Sequence, residues 1–167
     1  GQGETVVRNG QVILEMGSDL TGVTWNRKQP PPAWDYEVTL EAMRVDGHDF
    51  FCGLTFPVGK DPCSLILGGW GGGVCGLSSI DGDDASENET TGYQEFKNGH
   101  WYRVRLQVTR KHIRAWLNGR PLVDQSLEGH KIGIRGEVDL SRPFGLATWQ
   151  TTAAIRHLRI TPLKPPR

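Results

Sequence analysis

One stretch constrains the fold of this chain more than any other: Trp101 to Gln125, WYRVRLQVTRKHIRAWLNGRPLVDQ. Tyr102, Val104, Leu106 and Val108 alternate with Arg103, Arg105 and Gln107. That period of two is the mark of a strand with one face dry and the other wet. Ile113, Ala115 and Leu117 alternate in the same way with Arg114 and Trp116. Asn118-Gly119 follows, a pair that tolerates the positive φ of a type I′ hairpin, and residues 121–124 return as a short third strand. Three consecutive antiparallel strands are therefore expected here.

The rest of the chain repeats the theme. In residues 36–45, Tyr36, Val38, Leu40 and Ala42 alternate with Glu37, Thr39, Glu41 and Met43. Residues 50–56, 63–67 and 74–77 are apolar on both faces, as central strands are. Residues 5–7 and 11–14 flank Asn9-Gly10, residues 93–96 form a short strand, and residues 145–150 and 153–160 close the series. Residues 16–29 are polar, and Pro30-Pro31-Pro32 forces an extended connection, so residues 24–34 read as a surface excursion. Residues 131–134 and 136–140 read as short or irregular. Many glycines (22) and prolines (10) separate these runs, and no helical period extends over ten residues, so the chain is all-β, a sandwich or a barrel. We expect one domain, 1–167, with a core at about 34–161, an N-terminal hairpin 5–14, and a Pro-rich tail 162–167 that links to further domains.

Charge and composition exclude some functions. Lysine plus arginine (19) equals aspartate plus glutamate (19), so the basic excess of a nucleic-acid binder is missing. No apolar run approaches the roughly 20 residues of a membrane span. Cys52, Cys63 and Cys75 show neither CxxC nor Cys/His spacing; three buried thiols are expected, with one disulfide and a free thiol as the alternative. The five histidines lie apart, with no HxH or HExxH spacing.

Two segments invite chemical readings. Gly71-Gly72-Gly73-Val74-Cys75-Gly76 has the GxGxxG spacing of a dinucleotide fingerprint. It lies between strands, however, with no helix to receive a phosphate, and so reads as a wide turn that leaves room for a neighbouring backbone or a ligand. Trp70, flanked by Gly68, Gly69, Gly71, Gly72 and Gly73, has little local reason to be there except contact. Residues 78–92 are acidic and rich in turn formers. Asp81, Asp83 and Asp84 are the candidate ligands there, and calcium is the one cofactor their oxygens suggest, although Ala85 breaks the EF-hand order. The alternative is a solvated loop. Asn88-Glu89-Thr90 is an N-glycosylation sequon.

The strand from Trp101 to Leu106, the strand 113–119 ending in Asn-Gly, and the late strands 145–149 and 154–160 occur in an order that resembles a known group. It is the concanavalin A-like superfamily of laminin G domains, legume lectins and family 16 glucanases. Within it, the chain looks most like the bacterial 3-keto-disaccharide hydrolase or family 16-like domain, over residues 34–161. The resemblance implies a two-sheet antiparallel jelly-roll sandwich. In family 16 glucanases an ExDxxE strand supplies nucleophile and acid/base. Glu37 and Glu41 have that four-residue spacing, without the middle aspartate, and would share a face. They are candidate catalytic residues, with Asp83 and Glu87 as loop carboxylates.

The function expected from these features is a non-catalytic, lectin-like carbohydrate-binding module of a larger bacterial protein, extracytoplasmic or secreted. One alternative is a glycoside hydrolase or 3-keto-glycoside hydrolase-type enzyme using loop carboxylates. Another is a protein-interaction module. Sugars present apolar C–H faces that pack on indoles, so Trp70, Trp25, Trp34 and Trp149 are the candidate platforms. Arg103, Arg105 and Arg114 lie on one outer face and are candidate polar contacts. Fusion to other domains is expected; nucleic-acid and membrane partners are not.

Overall fold

Alternation of dry and wet side chains becomes two facing antiparallel sheets. The computed structural model describes residues 2–164. In chain order the strands are β1 (Thr5–Arg8), β2 (Gln11–Leu14), β3 (Leu20–Thr24), β4 (Tyr36–Asp46), β5 (Cys52–Val58), β6 (Asp61–Gly69), β7 (Val74–Ser78), β8 (Gly92–Tyr93), β9 (Trp101–Val108), β10 (His112–Leu117), β11 (Arg120–Ser126), β12 (Gly145–Trp149) and β13 (Thr152–Pro162). A 3₁₀ turn, Gly136–Ser141, precedes β12. The first sheet has the order β1-β2-β13-β4-β9-β10-β11, and the second β3-β12-β5-β6-β7-β8.

The expected three-stranded run is β9, β10 and β11, with Asn118 and Gly119 both at positive φ in the hairpin. The polar stretch after Met16 holds a strand that its sequence conceals. β3 pairs along β12 from Leu20–Trp149 to Thr24–Gly145. Gly22 in its middle weakens the strand signal, yet the site requires glycine, because a Cβ there would stand 2.8 Å from the Leu146 carbonyl oxygen. The N-terminal hairpin is no appendage, since β2 pairs with β13. The expected linker tail starts inside the fold: β13 runs through Pro162, and Leu163 N–H donates to the Asp35 carbonyl at 2.8 Å. The end of that tail, 165–167, lies outside the described residues.

Side chains from both sheets fill the space between them. Tyr36, Leu40 and Leu106 of the first sheet meet Leu54, Phe56, Leu65 and Leu67 of the second. Tyr36 Oη donates to the Pro57 carbonyl and so bonds one sheet to the other; burial pushes its pKa well up. All three cysteines are free and buried. Burial pushes the Cys52 and Cys63 thiols up to about 12 and Cys75 to about 11, which leaves them unreactive.

Along β4 the inward positions run Tyr36, Val38, Leu40, Ala42 and then Arg44, a buried guanidinium where the pattern calls for an apolar residue. Arg44 Nε donates to Asn98 Oδ1 at 2.7 Å, Nη1 to the carbonyls of Asp49 (3.1 Å) and Gly72 (3.2 Å), and Nη2 to the Phe96 carbonyl at 2.8 Å. It lies over Phe51, which packs with Phe96 and Tyr102 in an aromatic cluster. Three loops at one end of the sandwich are thereby fastened to one side chain. Arg44→Met keeps the aliphatic bulk and removes every donor. We expect it to lower the unfolding free energy by about 3 kcal/mol, the cost of stranding several buried acceptors. Urea denaturation measures this, and a loss under about 1 kcal/mol would show that the loops hold themselves.

Candidate functional site

The outward face of the second sheet is built from small residues. Register places Gly22, Ala147, Gly53, Ile66 and Gly76 in one row across the strands, and Gly145, Thr55, Ser64 and Ser78 in the next. Such a surface lets other chain lie close. A Cβ on Gly53 would stand 2.9 Å from the Phe50 ring, and one on Gly145 would stand 2.7 Å from the Ser141 carbonyl oxygen. Residues 127–143 cross this face. They are held by paired backbone bonds between Ser79 and Gly133, and by Asp81 N–H donating to Lys131 at 2.8 Å.

Between that segment and the glycine loop lies an open cleft of about 220 Å³. Its floor is Ser64, Ile66 and Ser78; Phe50, Trp70, Trp149 and Val138 wall it; Asp49, Arg135 and Glu137 supply charge. The volume is under the ~300 Å³ at which drug-sized pockets begin, and suits a small ring.

Trp70 stands at the lip, 41% exposed, with φ 49°. A side chain held in the left-handed region costs on the order of 1–2 kcal/mol, so something must fix it. Asp49 fixes the loop from one side, its Oδ1 accepting Phe50 N–H (2.8 Å) and its Oδ2 accepting Gly71 N–H (3.3 Å). Arg44 fixes it from below through Gly72. The Arg135 guanidinium lies 5.9 Å from the Trp70 ring centroid.

Arg135 is clasped by two carboxylates. Its Nη1 is 2.6 Å from Asp84 Oδ2 and its Nη2 2.6 Å from Glu137 Oε1, with Nε also on Glu137. Hydrogen bonds from Arg135 hold Glu137 below the usual carboxylate range. Burial pushes Asp84 up, but Ser86 and Arg135 outweigh it, and its carboxyl also lies low. Both are anions at neutral pH.

On the floor, Ser64 Oγ lies 2.7 Å from Thr55 Oγ1. Ser78 Oγ is buried and has no hydrogen-bond partner among the described residues. An unsatisfied buried hydroxyl costs about 1–3 kcal/mol, and one that lines a cleft asks for a partner from outside.

The acidic loop is organised by its sequon asparagine. Asn88 Nδ2 lies within bonding range of the carbonyls of Leu77 (2.7 Å), Asp84 (2.9 Å) and Asp83 (3.1 Å), while its Oδ1 accepts from Thr90 N–H and Oγ1. The amide that a glycan would need is engaged in the fold. The three aspartates considered for calcium do not converge. Asp81 holds His130, Asp84 holds Arg135 and Ser86, and Asp83 is exposed. No group of three or more His, Cys, Asp or Glu is placed to hold a metal among the described residues. Glu87 is exposed on the same loop.

The remaining sequence candidates lie elsewhere. Glu37 and Glu41 occupy the outward face of the first sheet, on the far side of the sandwich from the cleft. Glu37 accepts from Gln107 at 2.9 Å and faces Arg105 at 3.7 Å. Glu41 pairs with Arg156 (3.1 Å) and His157, and the Arg156 hydrogen bond holds it below the usual range. Two carboxylates paired with cations fit a surface charge ladder, not an acid/base pair. Arg103, Arg105 and Arg114 share that face; Arg105 lies 4.1 Å from the Trp116 ring centroid and Arg114 pairs with Asp124 at 3.2 Å. Trp25 packs edge-on against Phe144, and Trp34 lies on Gly59 with Arg110 over its ring. Of the sequence candidates for ligand contact, Trp70 and Trp149 line the cleft. Asp49, Phe50, Ser78, Arg135 and Glu137 are not among those candidates, and no local signal marks them.

The model of a family described as the 3-keto-alpha-glucoside-1,2-lyase-like domain matches residues 22–161. No curated protein matches the sequence. Among solved structures, Crh5 transglycosylase in complex with NAG superposes with a TM-score of 0.66 at 8% identity, covering 98% of this chain and 77% of that one. A glycosyl hydrolase family 16 protein from Mycobacterium smegmatis gives 0.56 at 10%, covering 91% and 75%. The botulinum neurotoxin serotype D ligand binding domain, in complex with N-acetylneuraminic acid, gives 0.55 at 12%; 97% of this chain is covered, but it spans only 42% of that one. At such identities the likeness is one of fold, and that fold is the concanavalin A-like jelly roll.

The segment that roofs the cleft is pinned by a titratable clasp. His130 Nδ1 lies 2.7 Å from Asp81 and its Nε2 3.4 Å from Glu89. The hydrogen bond to Asp81 raises the His130 pKa. Asp81 is lowered, by its bond from Lys131 N–H first and then by His130. The stabilisation from His130 is therefore complete below its unfolded pKa of about 6.5 and fades as pH rises through the higher folded value. An NMR titration of the His130 ring should give a midpoint above that of a free histidine, moving back down in Asp81→Asn. A wild-type midpoint at or below the free value would mean the clasp does not form in solution.

Proposed function

We propose, from the premise that the chain belongs to the 3-keto-alpha-glucoside-1,2-lyase-like domain family, that the cleft beside Trp70 binds a saccharide. The family is described by a carbohydrate reaction, which supports a carbohydrate-related role. The observation that carries the finer reading is Trp70 itself, a half-exposed indole held in a costly backbone conformation at the lip of the cleft. Trp149 and Phe50 add apolar surface for a sugar's C–H face, and Ser78, Asp49 and Glu137 offer partners for its hydroxyls.

Binding without turnover is the reading that the cleft chemistry favours. A general acid needs a proton to give near neutral pH. Glu137, beside Arg135, is held as a carboxylate and has none to give. The second reading is a lyase acting on a 3-keto-glucoside; the family description favours it, and Asp49 would be the base. Release of the aglycone from a chromogenic 3-keto-α-glucoside, abolished in Asp49→Asn, would establish that reading over simple binding.

A glycan array identifies the saccharide class, and NMR of the six tryptophan indole N–H signals locates it. Trp70→Ala should weaken binding about tenfold, the ~1.4 kcal/mol of a lost aromatic contact, with little change in melting temperature. Ser78→Ala should weaken it less. Replacing Arg103, Arg105 and Arg114 together should leave affinity unchanged, and saccharide-induced shifts on that face instead of at Trp70 would move the site.

A further inference from the structure

Arg135 is the only cationic side chain lining the cleft among the described residues. A lone arginine beside a tryptophan is the usual receptor for an acidic sugar, since its fork matches a carboxylate. Here each of its three nitrogens already faces a carboxylate. Nη1 faces Asp84, while Nη2 and Nε face Glu137. Asp49 is a further acidic side chain in the cleft, and its oxygens accept from the backbone N–H groups of Phe50 and Gly71. The other nearby cation is Arg44, which lies buried beneath the loop and points its donors at carbonyls and Asn98. Around the cleft, Asp49, Asp84 and Glu137 thus outnumber Arg135 and Arg44.

We infer that Asp84 and Glu137 set the charge selectivity of the cleft: by engaging Arg135 they withhold it from anionic ligands, so that the site takes amino sugars in preference to neutral sugars and rejects uronic acids. This rests on the saccharide reading above and adds to it the charge of the ligand. Both carboxylates lie below their usual range, so the arrangement holds throughout the neutral region.

The probes are three methyl α-glycosides on one ring skeleton: 2-amino-2-deoxyglucoside, glucoside and glucuronide. Each is titrated against the protein at low salt while the Trp70 indole signal, assigned with Trp70→Ala, is followed. Wild type should prefer amine over neutral sugar, and neutral over acid, by about threefold or more at each step, as partly exposed charges allow. The steps should shrink at ~0.5 M salt, where screening acts within about 4 Å. The double variant Asp84→Asn, Glu137→Gln frees Arg135 and should reverse the order, gaining affinity for the glucuronide. If that variant melts below the assay temperature, Glu137→Gln alone should move the order the same way by a smaller amount. Equal or tighter wild-type binding of the glucuronide than of the glucoside, or an unchanged order in the variants, overturns the inference and leaves saccharide binding standing. If none of the three probes moves the Trp70 signal, the saccharide reading falls and the selectivity falls with it.

Discussion

A guanidinium buried at the end of β4 holds together the part of this protein that differs from a bare sandwich. Arg44 stands in an inward position, and desolvation lowers its hold on its proton. A buried charge is tolerable only when its donors are satisfied. Here backbone carbonyls and Asn98 satisfy them, and those groups come from three separate loops. Asp49 and Gly72 belong to the two loops that shape the cleft. Trp70 can occupy a disfavoured backbone conformation because the residues that follow it are tied, Gly71 to Asp49 and Gly72 to Arg44. The core therefore reaches the site through hydrogen bonds as well as through packing.

The two outward faces of the sandwich have been put to different uses. On the first sheet, long charged side chains stand in rows, and Glu37, Glu41, Arg105, Arg114 and Arg156 find partners across neighbouring strands. Exposed pairs of this kind contribute little stability each, but they keep a broad sheet wet. On the second sheet the outward positions are mostly glycine, alanine, serine and threonine, with Ile66 and Trp149 among them. Such a face neither repels nor fills the space above it, so residues 127–143 can lie across it and leave a cleft at their margin. The acidic loop, locked by Asn88, anchors that segment through Asp81 and Asp84.

Local signals revealed most of the strands and little of the site. Alternation exposed β4, β9 and β10, and Asn-Gly exposed the hairpin from β10 to β11, because both are properties of adjacent residues. β3 stayed hidden because Gly22, needed for a close backbone approach, lowers the very propensity by which a strand is recognised. Trp70 stood out for its glycine neighbours. Glu37 and Glu41 show the limit of spacing: four residues on a strand guarantee a shared face, but do not say which side of the molecule that face meets. Ser78 and Glu137 carry no mark in the sequence, since a serine in an apolar strand and a glutamate beside glycine are both commonplace.

By itself, then, the sequence determined that this chain would form antiparallel sheets with a dry interior, since the period of side-chain alternation is written residue by residue. Only the tertiary structure decided where the cleft lies. Trp70, Ser78, Arg135 and Trp149 are scattered along the chain, and what brings them to one cleft is strand order, register and the path of a crossing segment. Those depend on contacts between distant residues, which no local pattern records.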